Sequence, residues 1–167
     1  MSTGGEQIIT PEALSWIGKV YPPAYADVSA TDIAKYAVTM GETAREYFDE
    51  DAAKAAGFRA IVAPLGYYVA VRLGSTMVLP RSAILEDGTP DDDFPPVRAT
   101  QVMAGETDVT FTGRIHAGDR IRVEKSLVDL TEKVGSSGRL GLMKFRYRLF
   151  NQLEEELLVE DYTRILR

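Results

Sequence analysis

Hydrophobic positions along the chain change their period once, near Pro80. Before that point the spacing is three to four. Ile33, Tyr36, Ala37 and Met40 recur at helical intervals, which predicts a helix with one buried stripe. Ser29 or Thr31 can cap its start through a side-chain oxygen, and Gly41 can close it after Met40. A short Ala-rich helix is predicted over roughly Glu50 to Ala56, stopped by Gly57. The third helical stretch differs in character. Leu65 to Leu73 holds one charge in nine residues and is apolar around nearly its whole circumference. That is the pattern of a helix buried on all sides. Pro64 suits its first turn, and Gly74 or the residues just after it should close it.

Residues 80–97 read as a long loop. Asp87-Gly88, Pro90, three consecutive Asp residues and Pro95-Pro96 all break regular structure. Such a stretch is either a solvated acidic loop or a lid or partner-contact arm. Beyond it the period becomes two. Val109 and Phe111, Ile121 and Val123, and Met143, Phe145, Tyr147 and Leu149 alternate with polar residues, and a last strand is expected from Leu157 to Leu166. Ala117-Gly118-Asp119, Gly135 to Gly138 and Asn151-Gln152 supply turns, so neighbouring strands should pair antiparallel. A fully apolar helix followed by an antiparallel meander has an economical solution, in which the sheet curls round the helix. The expectation is an α+β, single hot-dog domain spanning 1–167.

Composition narrows the function more than the fold. The 167 residues carry 19 Lys+Arg against 25 Asp+Glu, a net charge of −6, which argues against a nucleic-acid binder. With no Cys and one His, His116, neither a thiolate nor a multi-histidine metal site can be built, and no metal is expected. No basic, then apolar, leader opens the chain, and no run approaches the ~18–20 apolar residues of a membrane span. A cytoplasmic protein is the expectation. His116 beside the Ala117–Asp119 turn is expected at the surface. Arg114, Arg120, Arg122, Lys144, Arg146 and Arg148 lie on strands, either as an ordinary charged outer face or as a holder of phosphates.

Tyr36 to Asp49, continuing to Ala56-Gly57-Phe58, then Ile61-Val62-Ala63-Pro64 ahead of the apolar helix, follow one another in a recognisable order. Arg114 to Ile121 with its Gly118-Asp119, Leu130 to Gly138, and Asn151-Gln152 continue it. Together they resemble the MaoC-like hydratase/dehydratase family over nearly the whole chain. The resemblance implies a substrate that is an acyl-CoA or acyl carrier protein thioester, no cofactor, and Gly57, Ala63, Pro64 and Tyr67 on the substrate side. Catalytic members carry Gly-Asp-x-Asn-Pro-(aliphatic)-His-x-Asp. Here Gly41 matches the Gly, but Glu42 stands for the Asp, Ala44 for the Asn, Arg45 for the Pro and Tyr47 for the His, while Asp49 matches the last acid. The chain is similar to the N-terminal, non-catalytic type of MaoC unit, in which Glu42, Tyr47 and Asp49 are remnant positions and no catalytic pair is intact.

The chemistry gives the substitution its weight. Adding water to an enoyl thioester needs a base that titrates near working pH. A Tyr with an ordinary pKa of ~10 replaces imidazole poorly. The resemblance therefore implies a tunnel-shaping subunit beside a catalytic hot-dog partner. Two alternatives stay open: a stand-alone hydratase or thioesterase using Glu42 or Asp49, and a non-enzymatic acyl-CoA binding module.

Overall fold

The computed structural model describes residues 6–77, 94–135 and 138–167. The part of the predicted long loop over 78–93 lies outside the described residues. Among the described residues, five strands form one antiparallel sheet in the order β1-β3-β4-β5-β2. They are β1 (Ala24–Asp27), β2 (Val102–Phe111), β3 (Arg120–Gly135), β4 (Gly138–Phe150) and β5 (Glu156–Leu166). The helices are α1 (Pro11–Leu14), α2 (Ala30–Met40), α3 (Glu50–Ala55) and α4 (Tyr67–Met77). The hot-dog expectation holds.

Local chemistry explains the helix ends. The Ser29 hydroxyl accepts the Asp32 N–H and caps α2, and Gly41 closes it at φ 73°. A left-handed residue at that position costs glycine nothing. The α2 stripe is shorter than its spacing suggested. Ile33 and Ala37 are fully buried, Tyr36 is half-buried, and Met40 is exposed because the helix leaves the core in its last turn. α1 and β1 were not foreseen, although Thr10-Pro11 gives α1 both a cap and a Pro in its first turn.

The β3–β4 hairpin is the spine, paired from Arg122 with Phe150 to Gly135 with Gly138. Its inner face carries Ile121, Val123, Leu127, Leu130, Met143, Phe145 and Leu149, all buried. A bulge between Leu127 and Asp129 adds one residue to the alternation, so Leu130 rather than Asp129 returns to the core. Each such side chain contributes about 1.5–3 kcal/mol by leaving water.

α4 lies on this inner face, but it is not buried on all sides. Tyr67, Tyr68, Val71 and Arg72 face inward, while Leu65, just ahead of it, and Leu73 and Gly74 are exposed. The helix also begins at Tyr67 rather than Leu65, and runs through Gly74 to Met77. One face of an apolar helix is thus open in the single chain. β2 departs in the same direction. It was expected half-buried, yet every residue except Val109 is exposed. It sits at the sheet edge, beside β5.

Candidate functional site

The motif segment is a string of tight turns. The Glu42 N–H donates to the Ala37 carbonyl at 2.9 Å, which completes the helix end and leaves its side chain in solvent. A single 3-10 turn follows over Arg45–Tyr47. Tyr47 is half-buried and packs against the core. Asp49 caps α3: its carboxylate accepts the Ala52 N–H at 2.8 Å and faces Arg45 at 3.5 Å. The Ala52 hydrogen bond holds that carboxyl below the usual range, with Arg45 helping and desolvation opposing. The three remnant positions therefore share one segment, but Asp49 serves as a helix cap and Tyr47 as packing.

The connector after α3 lies against the 115–117 stretch. Val62 bridges His116 and donates to the Glu46 carbonyl at 3.2 Å, and Ala63 donates to the Ile115 carbonyl at 2.8 Å. Arg114 reaches back to the Ala63 carbonyl at 2.9 Å. These bonds build a narrow crevice lined by Ala63, Pro64, Leu65, Phe111, Arg114 and Leu158, among others, with a volume of about 10 Å³. That is room for about one water molecule. Gly113 lets Leu157 close its floor, since a Cβ there would come within 2.8 Å of the Leu157 side chain. Of the expected substrate-side residues, Ala63 and Pro64 line the crevice. Gly57 is an exposed turn residue at φ 89°. Tyr67 packs edge-on against Tyr36 at 5.3 Å, and burial pushes its phenol up, with Asp32 adding to the effect.

His116 is not at the surface as expected; it is 9% exposed. The reason is local. The fully buried Asp119 accepts the His116 main-chain N–H at 2.7 Å and pairs with Arg59, which folds the turn inward against Phe58. His116 Nδ1 lies 3.8 Å from Asp119 Oδ2 and makes no hydrogen bond among the described residues. Desolvation, then the Arg59 charge, hold its pKa below 6.5, with Asp119 opposing. Three of the strand arginines are turned to carboxylates on their own or neighbouring segments. Arg146 grips Asp161 with two bonds of 2.7 and 2.8 Å, Arg148 holds Glu156, and Arg122 holds Glu124 and Glu154. For Arg122, Arg146 and Arg148 that is an ordinary charged outer face, whereas Arg114 lies at the crevice.

A buried polar group escaped the sequence reading. Glu160 on β5 is 1% exposed. Its Oε2 lies 2.9 Å from Arg72 Nε on α4, and its Oε1 accepts the Tyr68 hydroxyl at 3.3 Å. Arg72 sits over the rings of Tyr147 and Tyr162, 4.8 and 5.1 Å from their centroids. Burial raises the Glu160 carboxyl against the pull of Arg72, and burial with Glu160 beside it pushes Tyr68 up to about 12. Two signals were available: Arg72 is the one charge in the apolar helix, and Glu160 falls in phase with Leu158 and Tyr162 on the inner face.

Comparison with known proteins agrees with this geometry. Residues 15–159 match the family model described as FAS1-like, dehydratase domain region. A UPF0336 protein of Saccharopolyspora erythraea is 28% identical over 123 residues, covering 73% of this chain and 72% of its own. One from Streptomyces avermitilis is 24% identical over 123 residues, at 73% and 75% coverage. Among solved structures, the ChsH1-ChsH2 complex from Mycobacterium tuberculosis superposes with a TM-score of 0.72 at 18% identity, covering 93% of this chain and 94% of that one. The C-terminally truncated HadBC (3R-hydroxyacyl-ACP dehydratase) complex from the same organism gives 0.68 at 19%, covering 90% and 96%. A MaoC-like dehydratase from Rhodospirillum rubrum gives 0.66 at 16%, covering 90% and 91%. With one family model spanning most of its length, on a frame whose fold is that of the MaoC-like dehydratase from Rhodospirillum rubrum, the chain belongs to the FAS1-like dehydratase-region family.

Proposed function

We propose that this chain is the tunnel-shaping subunit of a heteromeric acyl-thioester hydratase or dehydratase, whose Asp-His pair comes from a partner hot-dog chain. The observation that carries the reading is the state of the motif segment. Where the chemistry needs an acid and an imidazole, this chain has an exposed Glu42, a packed Tyr47 and a helix-capping Asp49. Such a segment offers no imidazole to take a proton from water. The closed crevice and the open edge fit the same reading. Val102, Met103 and Phe111 are 47%, 42% and 38% exposed along an edge strand, an association-prone surface that proteins ordinarily cover. Two solved neighbours, HadBC and ChsH1-ChsH2, are themselves complexes, which supports a two-chain assembly. The substrate would be an acyl thioester of CoA or acyl carrier protein, with no cofactor. Among the described residues no helix is long and apolar enough to cross a membrane.

The test is hydration of a panel of 2-enoyl thioesters by this chain alone, by a co-purifying chain bearing Asp-x-Asn-Pro-x-His alone, and by both. Turnover only with both is expected. Robust turnover by this chain alone, unchanged by any partner, would overturn the proposal. The stand-alone reading has one observation in its favour, the buried His116 beside Asp119. On that reading His116→Gln would abolish turnover by the single chain.

A further inference from the structure

We infer that Tyr68, Arg72 and Glu160 form a polar stop that limits this unit to short acyl groups; the inference rests on the acyl-thioester reading above. Next to the crevice residues, both β5 and α4 carry buried polar groups that are joined to one another. On β5, Leu158 lines the crevice, and Glu160, two residues on, occupies the same inner face. Beside it, Leu65 lines the crevice, and Tyr68 and then Arg72 follow it at successive turns of α4. Tyr68 also touches Phe111, another crevice residue, with ring centroids 5.8 Å apart. The crevice as it stands holds about one water molecule, so an acyl chain has to part α4 from β5, and in doing so it runs from Pro64, Leu65, Phe111 and Leu158 into a phenol, a carboxylate and a guanidinium.

Stability gives no reason to keep charges at that depth, since well-packed apolar residues replace a buried ion pair at little or no cost. A methylene chain pushed past Glu160 would separate Arg72 Nε from Glu160 Oε2, now 2.9 Å apart, and leave buried charge uncompensated. Two residues of strand span roughly 6.6 Å, the reach of about six main-chain bonds. Acyl groups beyond about six carbons gain nothing further from this interior.

The test measures binding of butyryl-CoA and dodecanoyl-CoA by calorimetry, on the chain as isolated from its own cells with the hot-dog partner it retains. The native protein should bind butyryl-CoA at least as tightly as dodecanoyl-CoA. The apolar triple variant Tyr68→Phe/Arg72→Met/Glu160→Leu should shift the ratio toward dodecanoyl-CoA by about tenfold or more, the worth of roughly two buried methylenes. Glu160→Gln, which keeps size and polarity, should leave the ratio unchanged. If the triple variant does not fold, Tyr68→Leu, which retains the ion pair, should still shift the ratio in the same direction. Tighter binding of dodecanoyl-CoA by the native protein, no shift in either opened variant, or no binding of either thioester overturns the inference. Hydration of 2-butenoyl-CoA, followed on the same samples, separates the two readings. Its absence with the expected binding ratios sinks the hydratase reading and upholds the polar stop.

Discussion

The two flanks of the sheet are built on opposite principles. On the β3–β4 flank the inner positions from Ile121 to Leu149 are apolar or aromatic and buried, apart from Lys125, whose ammonium lies over the rings of Tyr21 and Phe145, and the hairpin pairs along nearly its whole length. On the β5–β2 flank the inner face holds Glu160 against Arg72 and Tyr68, and the outermost strand is exposed on both faces. The first flank is chiefly packed side chains, and its one inward ammonium rests on aromatic faces rather than against a buried carboxylate. The second spends stability on a buried charge and an uncovered edge, and it is the flank that carries the crevice. Such local conflicts concentrate where a protein binds or assembles.

Changes on each flank should separate these roles. Phe145→Ala, at the fully buried centre of the first flank, should lower unfolding stability by about 3–5 kcal/mol in urea titrations. A loss below about 1 kcal/mol would show that the dry flank is not the anchor. Arg72→Met alone should cost about 3 kcal/mol by stranding Glu160, whereas Arg72→Met/Glu160→Leu should return to within about 1 kcal/mol of the native value. The single variant carries a sign in pH. Burial raises the Glu160 carboxyl above 4.5, and a group whose folded pKa is raised stabilises the protein at low pH and loses that contribution as pH rises through the folded pKa. The deficit of Arg72→Met should therefore shrink as pH falls toward 4.5.

On the exposed strand the effect should move from stability to assembly. Val102→Lys with Met103→Glu should change stability by no more than about 0.5 kcal/mol. Retention of the partner in pull-down and sizing experiments should nevertheless fall sharply. Unchanged retention would show that the β2 edge is not where the partner sits. Glu42→Ala and Tyr47→Phe, made separately, should lower the activity of the two-chain enzyme less than ~10-fold, because a true acid or base contributes ~10²–10⁴-fold. The smallest effect concerns His116. Its pKa is depressed below 6.5 in the folded chain, so the unfolded chain binds more protons and stability falls as pH drops below that value. His116→Gln should flatten that slope, read as the difference between urea midpoints of the two proteins across pH 5 to 7.

Most of the frame was legible from local rules. The Ser29 cap, the Gly41 closure, the short α3 ended by Gly57, and the alternation along β4 all depend on residues within a few positions of each other. Backbone geometry acts over the same range, so these elements could be read directly from the chain. That the motif segment carries Glu42 and Tyr47 in place of Asp and His was legible for the same reason: a side chain that is not encoded cannot be supplied by folding.

What only the tertiary structure decided are contacts between distant segments. Glu160 could be placed on an inward phase, but its partner Arg72 lies 88 positions earlier, and only packing of α4 on β5 joins them. His116 looked like a turn residue because its burial comes from Arg59, drawn to Asp119 across 60 positions. Met40, Leu73 and β2 carried the right apolar pattern for a covered surface and are nevertheless exposed in the single chain. Hydrophobic periodicity records that a face avoids water, not which surface covers it. For α4 and β2 the proposed answer is a second hot-dog unit.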